Sequence, residues 1–476
     1  MNFAKASIRD VVDAQSVAVI GASRDILKPG AMLIEHLKDV QFQGRVMGVN
    51  PQGGEVHGIP LYRSLDEIPF PVDLAVLLIP PAAVPEAIAR CARKGVKGVV
   101  ISSEGFAEAG SQGKQYQEAV RSILRSTGMR GFGPNTLGII NTVTGLSTSY
   151  IADKRMLQPG SIGFASQSGI FVGGLLKYIS GYGLHISKGL GMGNKVDVDE
   201  SEALKYLEQD EQTRTVGMYL EDIRDGRKFL AACRETVRKK PVLLLKSGRS
   251  PAVARAVTSH TGSLAVDDAI LDGALRQAGI LRMQGTQEFV GALMGFDWMP
   301  LPRGNRIAVV TYSGAQSIMC MDEALKADLV VPPVSENTRG KLSKVIATPY
   351  KNLNPIDLYP DMMAHGFEET VSTILQVLME DDAIHGIIII LFAQFGPEPY
   401  HPIVRLIHEK RNKPVFFSNF GAKEDVQSCQ DLLLEHRIPC FPYPELAVQA
   451  FAHMWRYARV VSRNMDERPN LIGNNG

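Results

Sequence analysis

A chain of 476 residues is longer than one ordinary core fills, so two to four domains of about 100–200 residues are expected. Apolar residues make up 45% and charged residues 21%, a soluble globular balance. The 51 basic and 50 acidic side chains leave a formal charge of +1, which gives no electrostatic reason for a nucleic-acid or membrane partner. Five scattered cysteines without a CxxC pair signal neither a zinc knuckle nor a redox motif, point to no bound metal, and suit a reducing, cytoplasmic setting. Met1 to Asp13 lacks the apolar stretch of a secretory signal, and no apolar run reaches the ~18–20 residues of a membrane span.

The first expected domain covers residues 1–130. Val17 to Ile20 is a short apolar strand, followed by Gly21-Ala22-Ser23, by Pro29-Gly30 and by a helical pattern from Met32 to Leu37. That is the opening strand, turn and helix of a nucleotide-binding βαβ unit. The glycines depart from GxGxxG, and the second strand, Val46 to Val49, ends in Asn50-Pro51 rather than in the acidic residue that holds an NAD ribose. Leu74 to Ile79 is the next strand and ends in Pro80-Pro81. Gly98 to Ser103 is another and leads to Glu104-Gly105-Phe106.

The second expected domain covers 146–299. Ser161 to Ala165 is a strand, and Ser166-Gln167-Ser168-Gly169 opens a helix whose free N–H groups suit an anion. Thr215 to Leu220 is a strand ending at Glu221-Asp222. The run Val242 to Leu245 is a buried parallel strand, followed by a polar loop and by Ser259-His260-Thr261-Gly262. A lone loop histidine is by itself unremarkable. Here, parallel strands place both Glu221 and the His260 loop after strand C-termini, where ligands bind in open α/β sheets. A carboxylate on one imidazole nitrogen fixes the tautomer and leaves the other free to attack.

The third expected domain covers 303–463, and a polar tail of 464–476 should fray. Arg306 to Thr311 is a strand, and Tyr312-Ser313-Gly314-Ala315 opens a helix. Ile387 to Phe392 and Lys413 to Phe417 are further strands. The second and third segments read as a repeat. Ser168-Gly169 matches Ser313-Gly314, Lys240-Pro241-Val242 matches Lys413-Pro414-Val415, and the spacing to each proline pairs Glu221 with Gln394. On that register His260 falls at Leu433, so one copy alone keeps the imidazole.

Several blocks occur in a specific order: Val19-Ile20-Gly21-Ala22-Ser23, Gly133-Pro134-Asn135, Ser166-Gln167-Ser168-Gly169, Gly193-Asn194, Asp197-Val198-Asp199, Tyr219-Leu220-Glu221, Lys246 to Arg249, Ser259 to Gly262 and Asn354 to Leu358. The set resembles the α subunit of NDP-forming acyl-CoA synthetases (ADP-forming acetate–CoA ligases), relatives of the succinyl-CoA synthetase α subunit. The resemblance runs from about Ser7 to Arg463. It implies an α/β chain with a Rossmann-like CoA-binding domain followed by two flavodoxin-like parallel-sheet domains. It further implies interconversion of acyl-CoA, NDP and phosphate with an organic acid, CoA and NTP, through an acyl phosphate and a phosphohistidine. By that resemblance His260 carries the phosphoryl group and Glu221 holds the imidazole of His260. Coenzyme A lies along Gly21, Ala22, Ser23, Asn50, Pro51, Ile79, Pro80, Ser102, Ser103 and Glu104. Phosphate is cradled by Asn135, Ser166, Ser168, Gly169, Ser313 and Gly314.

Three positions depart from the family pattern: Gln52 where lysine is frequent, Thr136 where cysteine is common, and Ala315-Gln316 in place of a second glycine. No ATP-grasp segment is recognisable, so Mg-nucleotide is expected on an ATP-grasp β subunit, in an α2β2 assembly acting on a small organic acid. The alternative is a CoA or acyl-CoA sensor or scaffold without turnover, supported by the changes at Gln52 and Ala315. An NAD-dependent oxidoreductase would rest on the first βαβ unit alone.

Overall fold

The computed structural model describes residues 5–151, 154–250, 253, 267–347, 353–359, 361–394 and 396–466. The chain divides into two compact units, Met1–Arg282 and Met283–Gly476.

The first sheet contains β1 (Ser16–Ile20), β2 (Arg45–Val49), β3 (Gly54–Val56), β4 (Ile59–Tyr62), β5 (Leu74–Leu77), β6 (Gly98–Ile101) and β7 (Arg130–Phe132), in the order β3-β4-β2-β1-β5-β6-β7. All pairs are parallel except the β3–β4 hairpin. From β4 to β7 this is the doubly wound Rossmann order, whose topological switch lies between β1 and β5. Short apolar runs form these strands because both faces are covered: Val17, Val19, Leu74, Val76, Val99 and Val100 are all fully buried.

The second sheet joins β8 (Ile139–Asn141), β9 (Leu146–Ser147), β10 (Ile162–Ser166), β11 (Ile186–Gly191), β12 (Thr215–Leu220), β13 (Val242–Lys246) and β14 (Leu281–Met283), in the order β14-β13-β12-β10-β11-β8-β9. The second unit holds β15 (Ile307–Thr311), β16 (Ile356–Asp357), β17 (Gly386–Phe392), β18 (Val415–Phe420) and β19 (Cys440–Phe441), ordered β16-β15-β17-β18-β19 and wholly parallel. The five strands β11-β10-β12-β13-β14 and the five strands β16-β15-β17-β18-β19 follow the same flavodoxin-like order, 2-1-3-4-5.

The repeat extends to side chains. Ser166 Oγ donates to the Ser168 carbonyl at 2.8 Å and accepts the Ser168 N–H at 3.2 Å; Thr311 Oγ1 does the same with Ser313 at 2.8 and 2.9 Å. Lys240 Nζ binds the carbonyls of Leu207 and Asp210 at 2.8 and 2.6 Å. Lys413 Nζ binds those of Leu378, Asp381 and Ile384 at 3.0, 2.8 and 2.9 Å. The strand register corrects one expected pairing. Ser166 lies beside Tyr219 and Thr311 beside Ile390, while Pro241 receives Val216 N–H and Pro414 receives Ile387 N–H. Both relations match Glu221 with Phe392, not Gln394. Spacing to the proline counts the intervening helix and loop, which are two residues longer in the second copy, whereas the ladder counts only paired residues.

Helix Thr286–Trp298 belongs to the second unit, where Glu288 meets His453 of helix Pro444–Asp466 at 2.6 Å. All five cysteines are buried free thiols. No helix among the described residues is long and apolar enough to cross a membrane.

Candidate active site

A cavity of about 930 Å3 opens at the C-terminal edge of the first two sheets, entirely within the first unit. One wall is the β1 turn, Gly21 to Ser23, together with Pro29-Gly30 at the start of helix Pro29–Asp39. Gly21 has φ +94°, and a Cβ there would stand 2.3 Å from the Leu78 carbonyl oxygen. The turn therefore presses against the end of β5 in a way only glycine allows. Asn50 replaces the acidic residue of an NAD site, and its Nδ2 donates to the Ala22 carbonyl at 2.7 Å. Leu78 to Pro81 and Ser102 to Glu104 complete this side. Ser103 Oγ donates to the Ile79 carbonyl at 2.5 Å, whereas Ser102 Oγ is buried without a hydrogen-bond partner. A cavity wall carrying a buried orphan hydroxyl and glycine-exposed backbone fits a ligand with an apolar arm and phosphoryl oxygens.

The opposite wall is the second sheet. Asn135 to Leu137, Gln167, Ser168 and Gly169 line it, the last opening helix Gly169–Ser180, along with Glu221 and Asp222 beyond β12. Gln167 Oε1 accepts the N–H groups of Glu221 and Asp222 at 3.0 and 3.1 Å. Lys246 Nζ donates to the Glu221 carbonyl at 2.6 Å, and burial lowers its pKa. Tyr219 lies two residues before Glu221; burial raises its hydroxyl pKa, and the nearby carboxylate pushes the same way.

Of the residues expected from the sequence, Gly21, Ala22, Ser23, Asn50, Ile79, Pro80, Ser102, Ser103, Glu104, Asn135, Ser168, Gly169 and Glu221 all line this one cavity. Pro51 is exposed and outside it. Ser166 is fully buried, and its hydroxyl is used in the turn described above. Ser313 and Gly314 occupy the equivalent helix start of the second unit. His260 lies outside the described residues. Among the described residues no group of His, Cys, Asp and Glu is placed to hold a metal ion.

Comparison with known proteins matches two family models to the chain. Residues 15–142 match a family model described as a CoA binding domain, and residues 159–296 match one described as a succinyl-CoA ligase like flavodoxin domain. An ADP-forming acetate–CoA ligase II of Archaeoglobus fulgidus is 35% identical over 95% of this chain and 67% of its own length. The α subunit of ADP-forming acetate–CoA ligase II of Pyrococcus furiosus is 33% identical over 92% of this chain and 95% of its own. The chain belongs to the ADP-forming acetate–CoA ligase family. An acetyl-coenzyme A synthetase 1 of Ca. Korarchaeum cryptofilum, solved in complex with phosphate and ADP, superposes with a TM-score of 0.88 at 28% identity, covering 95% of this chain and 97% of that one.

Much of what shapes this ligase's cavity was assigned no role from the sequence. Lys195, Glu108, Gln117, Asn194, Asp222 and Arg224 also line it. The block Gly193 to Glu200 is their hub. Asn194 Nδ2 donates to Glu108 at 2.6 Å and to Gln117 at 3.0 Å. Lys195 pairs with Glu200 at 3.0 Å and with Asp222. Asp197 pairs with Arg130 of β7 at 2.8 Å, and Asp199 caps helix Glu200–Gln209. Burial alone would raise the Glu108 carboxyl pKa, but bonds from backbone N–H groups and Asn194 outweigh it and hold the group low. The signals in the sequence were Gly193-Asn194 and Asp197-Val198-Asp199, read as family marks rather than as a set of contacts.

Two departures from the family pattern find local explanations. Gln52 accepts from the Arg24 guanidinium at 2.5 Å, so a cation stands beside that position. Thr136 Oγ1 donates to the Gly191 carbonyl at 2.9 Å and accepts the Gly138 N–H at 3.0 Å, a bridging role that a thiol would fill more weakly.

Proposed function

We propose that this chain is the α-type half of an NDP-forming acyl-CoA synthetase. It interconverts acyl-CoA, nucleoside diphosphate and phosphate with a small organic acid, CoA and nucleoside triphosphate. The observation that carries the reading is the shared cavity, which brings the β1, β5 and β6 loops to the same space as Glu221 and the Gly169 helix start.

CoA lies against the glycine turn and the Leu78–Pro81 and Ser102–Glu104 loops. A phosphate oxygen attacks the thioester carbon; the C–O bond forms, the C–S bond breaks, and CoA leaves as thiolate. A ring nitrogen of His260 then attacks the phosphorus of the acyl phosphate. The N–P bond forms, the P–O bond to the acyl group breaks, and the carboxylate departs. Glu221 holds the other ring nitrogen, which sets the tautomer and stabilises the charged ring. Charge on the transferring group spreads over three oxygens, so positioned N–H donors at the Gly169 helix start contribute most. The phosphoryl group passes to Mg-nucleotide on an ATP-grasp β subunit, in an α2β2 assembly in the cytoplasm. The α-subunit names of two Pyrococcus furiosus relatives support a separate partner.

The test is labelling of the full chain with radioactive phosphate and a panel of acyl-CoAs, beside His260→Ala. Acid-labile, base-stable label on wild type alone is expected. CoA binding without label, unchanged by adding the β partner, would replace this reading with that of a CoA sensor.

A further inference from the structure

The cavity wall carries buried charges that helix capping does not use. Lys195 is 1% exposed, Glu200 fully buried and Asp222 9% exposed. Lys195 also has φ +54°, a left-handed backbone that residues with side chains rarely hold unless their surroundings enforce it. The enforcement is visible. Asn194 N–H binds the Pro134 carbonyl at 2.9 Å, Lys195 N–H the Met192 carbonyl at 2.9 Å, and Val196 N–H the Gly133 carbonyl at 2.9 Å. The turn delivers the ammonium group inward, to the Glu200 carboxylate at 3.0 Å, the Asp222 carboxylate, and the Asp222 carbonyl at 3.2 Å.

Asp222 directly follows Glu221. Four of the polar groups around this pair are tied down from separate elements: both N–H groups by Gln167, the Glu221 carbonyl by Lys246, and the Asp222 side chain by Lys195. The same turn reaches the opposite wall. The Arg224 guanidinium binds the carbonyls of Lys195 and Asn194, and Asn194 holds Glu108. Glu108 accepts the N–H groups of Gly105 and Phe106 at 2.8 and 3.1 Å, just past the Ser102–Glu104 loop.

We propose that Lys195 is a positioning residue: through Asp222 it fixes the aim of the Glu221 carboxylate into the cavity, and its turn locks that loop to the loop on the CoA side. This rests on the reading of Glu221 as the group that holds the phosphoryl-accepting imidazole. Lys195 touches no reacting atom. Its removal strands two buried carboxylates and frees the Glu221 loop, while the glycine turn, Ile79-Pro80 and Asn50 stay as they are.

The test is a mutant cycle on the full chain: wild type, Lys195→Met, Glu221→Gln and the double variant, with Asp222→Asn alongside. Two quantities are read, the single-turnover rate of phosphate labelling with an acyl-CoA that labels wild type, and CoA affinity by calorimetry. Lys195→Met should slow labelling by about 30-fold or more and leave CoA affinity within about threefold. In the Glu221→Gln background the same change should cost less than about threefold, because the carboxylate it aims is gone. Asp222→Asn, which keeps the side-chain volume and the Lys195–Glu200 pair, should show the same split and serves if Lys195→Met fails to fold. Losses that multiply across the Glu221→Gln background, or a Lys195→Met rate within threefold of wild type, overturn the proposal alone. A Glu221→Gln variant that labels as fast as wild type, or a wild type that takes no label, overturns the reading of Glu221 and this proposal with it.

Discussion

The bridge from Gln167 to the Glu221 loop is the contact whose removal can be followed most directly. One oxygen of Gln167, a residue only 7% exposed, accepts two backbone N–H groups, at 3.0 and 3.1 Å. Gln167→Ala leaves both donors without an acceptor. A buried donor left unpaired costs about 1–3 kcal/mol. The Asp222 N–H belongs to a buried residue, whereas the Glu221 N–H belongs to a half-buried one that lines the cavity, so water satisfies it more readily. A combined loss of about 2–3 kcal/mol follows, with the Asp222 donor contributing the larger part. The loop can open without unfolding the sheet, so the loss belongs to a local equilibrium rather than to global melting. Hydrogen exchange at the amides of Glu221 and Asp222 should therefore speed up by roughly 30- to 150-fold. Amides of β13 serve as the internal control and should not change. Gln167→Glu, which keeps acceptor oxygens, should preserve most of the protection. Unchanged exchange at Glu221 and Asp222 in Gln167→Ala would refute the argument, because the loop would then be held by Lys195 and Lys246 alone.

Two further outcomes are expected. The buried His36 imidazole is pushed down to about 4 by burial, with Asp39 opposing, and its Nε2 has no hydrogen-bond partner. Because the folded pKa lies below the unfolded value, protonation favours the unfolded chain. The contribution is complete above about pH 6.5 and is lost as pH falls toward 4, about 2 kcal/mol of it by pH 5. Urea unfolding of wild type should show that slope and His36→Leu should not; equal slopes would contradict the assignment. In the second unit, Lys413→Met strips one cation from three helix-end and loop carbonyls and should cost roughly 2–4 kcal/mol. Denaturant unfolding should show the loss in the transition of that unit, and a change below about 0.5 kcal/mol would mean that water replaces the ammonium group without penalty.

Strands and helix starts were legible because each is a local pattern. A run such as Val242 to Leu245 is apolar on both faces only if both faces are covered, and small hydroxyl and glycine residues after a strand favour a helix start. The cavity walls were legible for the same reason, since each lies at a strand C-terminus. The repeat was legible in its lysine-proline marks, but its register was not. Matching by spacing to the proline gave Gln394, whereas the ladders give Phe392, because hydrogen bonds between strands ignore how long the connecting helix and loop are.

The sequence by itself determined the fold class, the three-sheet order of elements, the family, and most of the cavity's outline, since these depend on short-range periodicity and on ordered motifs. Only the tertiary structure decided that Lys195, Gln167, Arg224, Asn194 and Glu108 form one network. Asn194 meets a carboxylate 86 positions away and Lys195 one 27 positions away. No periodicity links such pairs. They meet because the parallel strands of two sheets end at one edge, and because a buried charge must find its partner wherever the chain has already placed it.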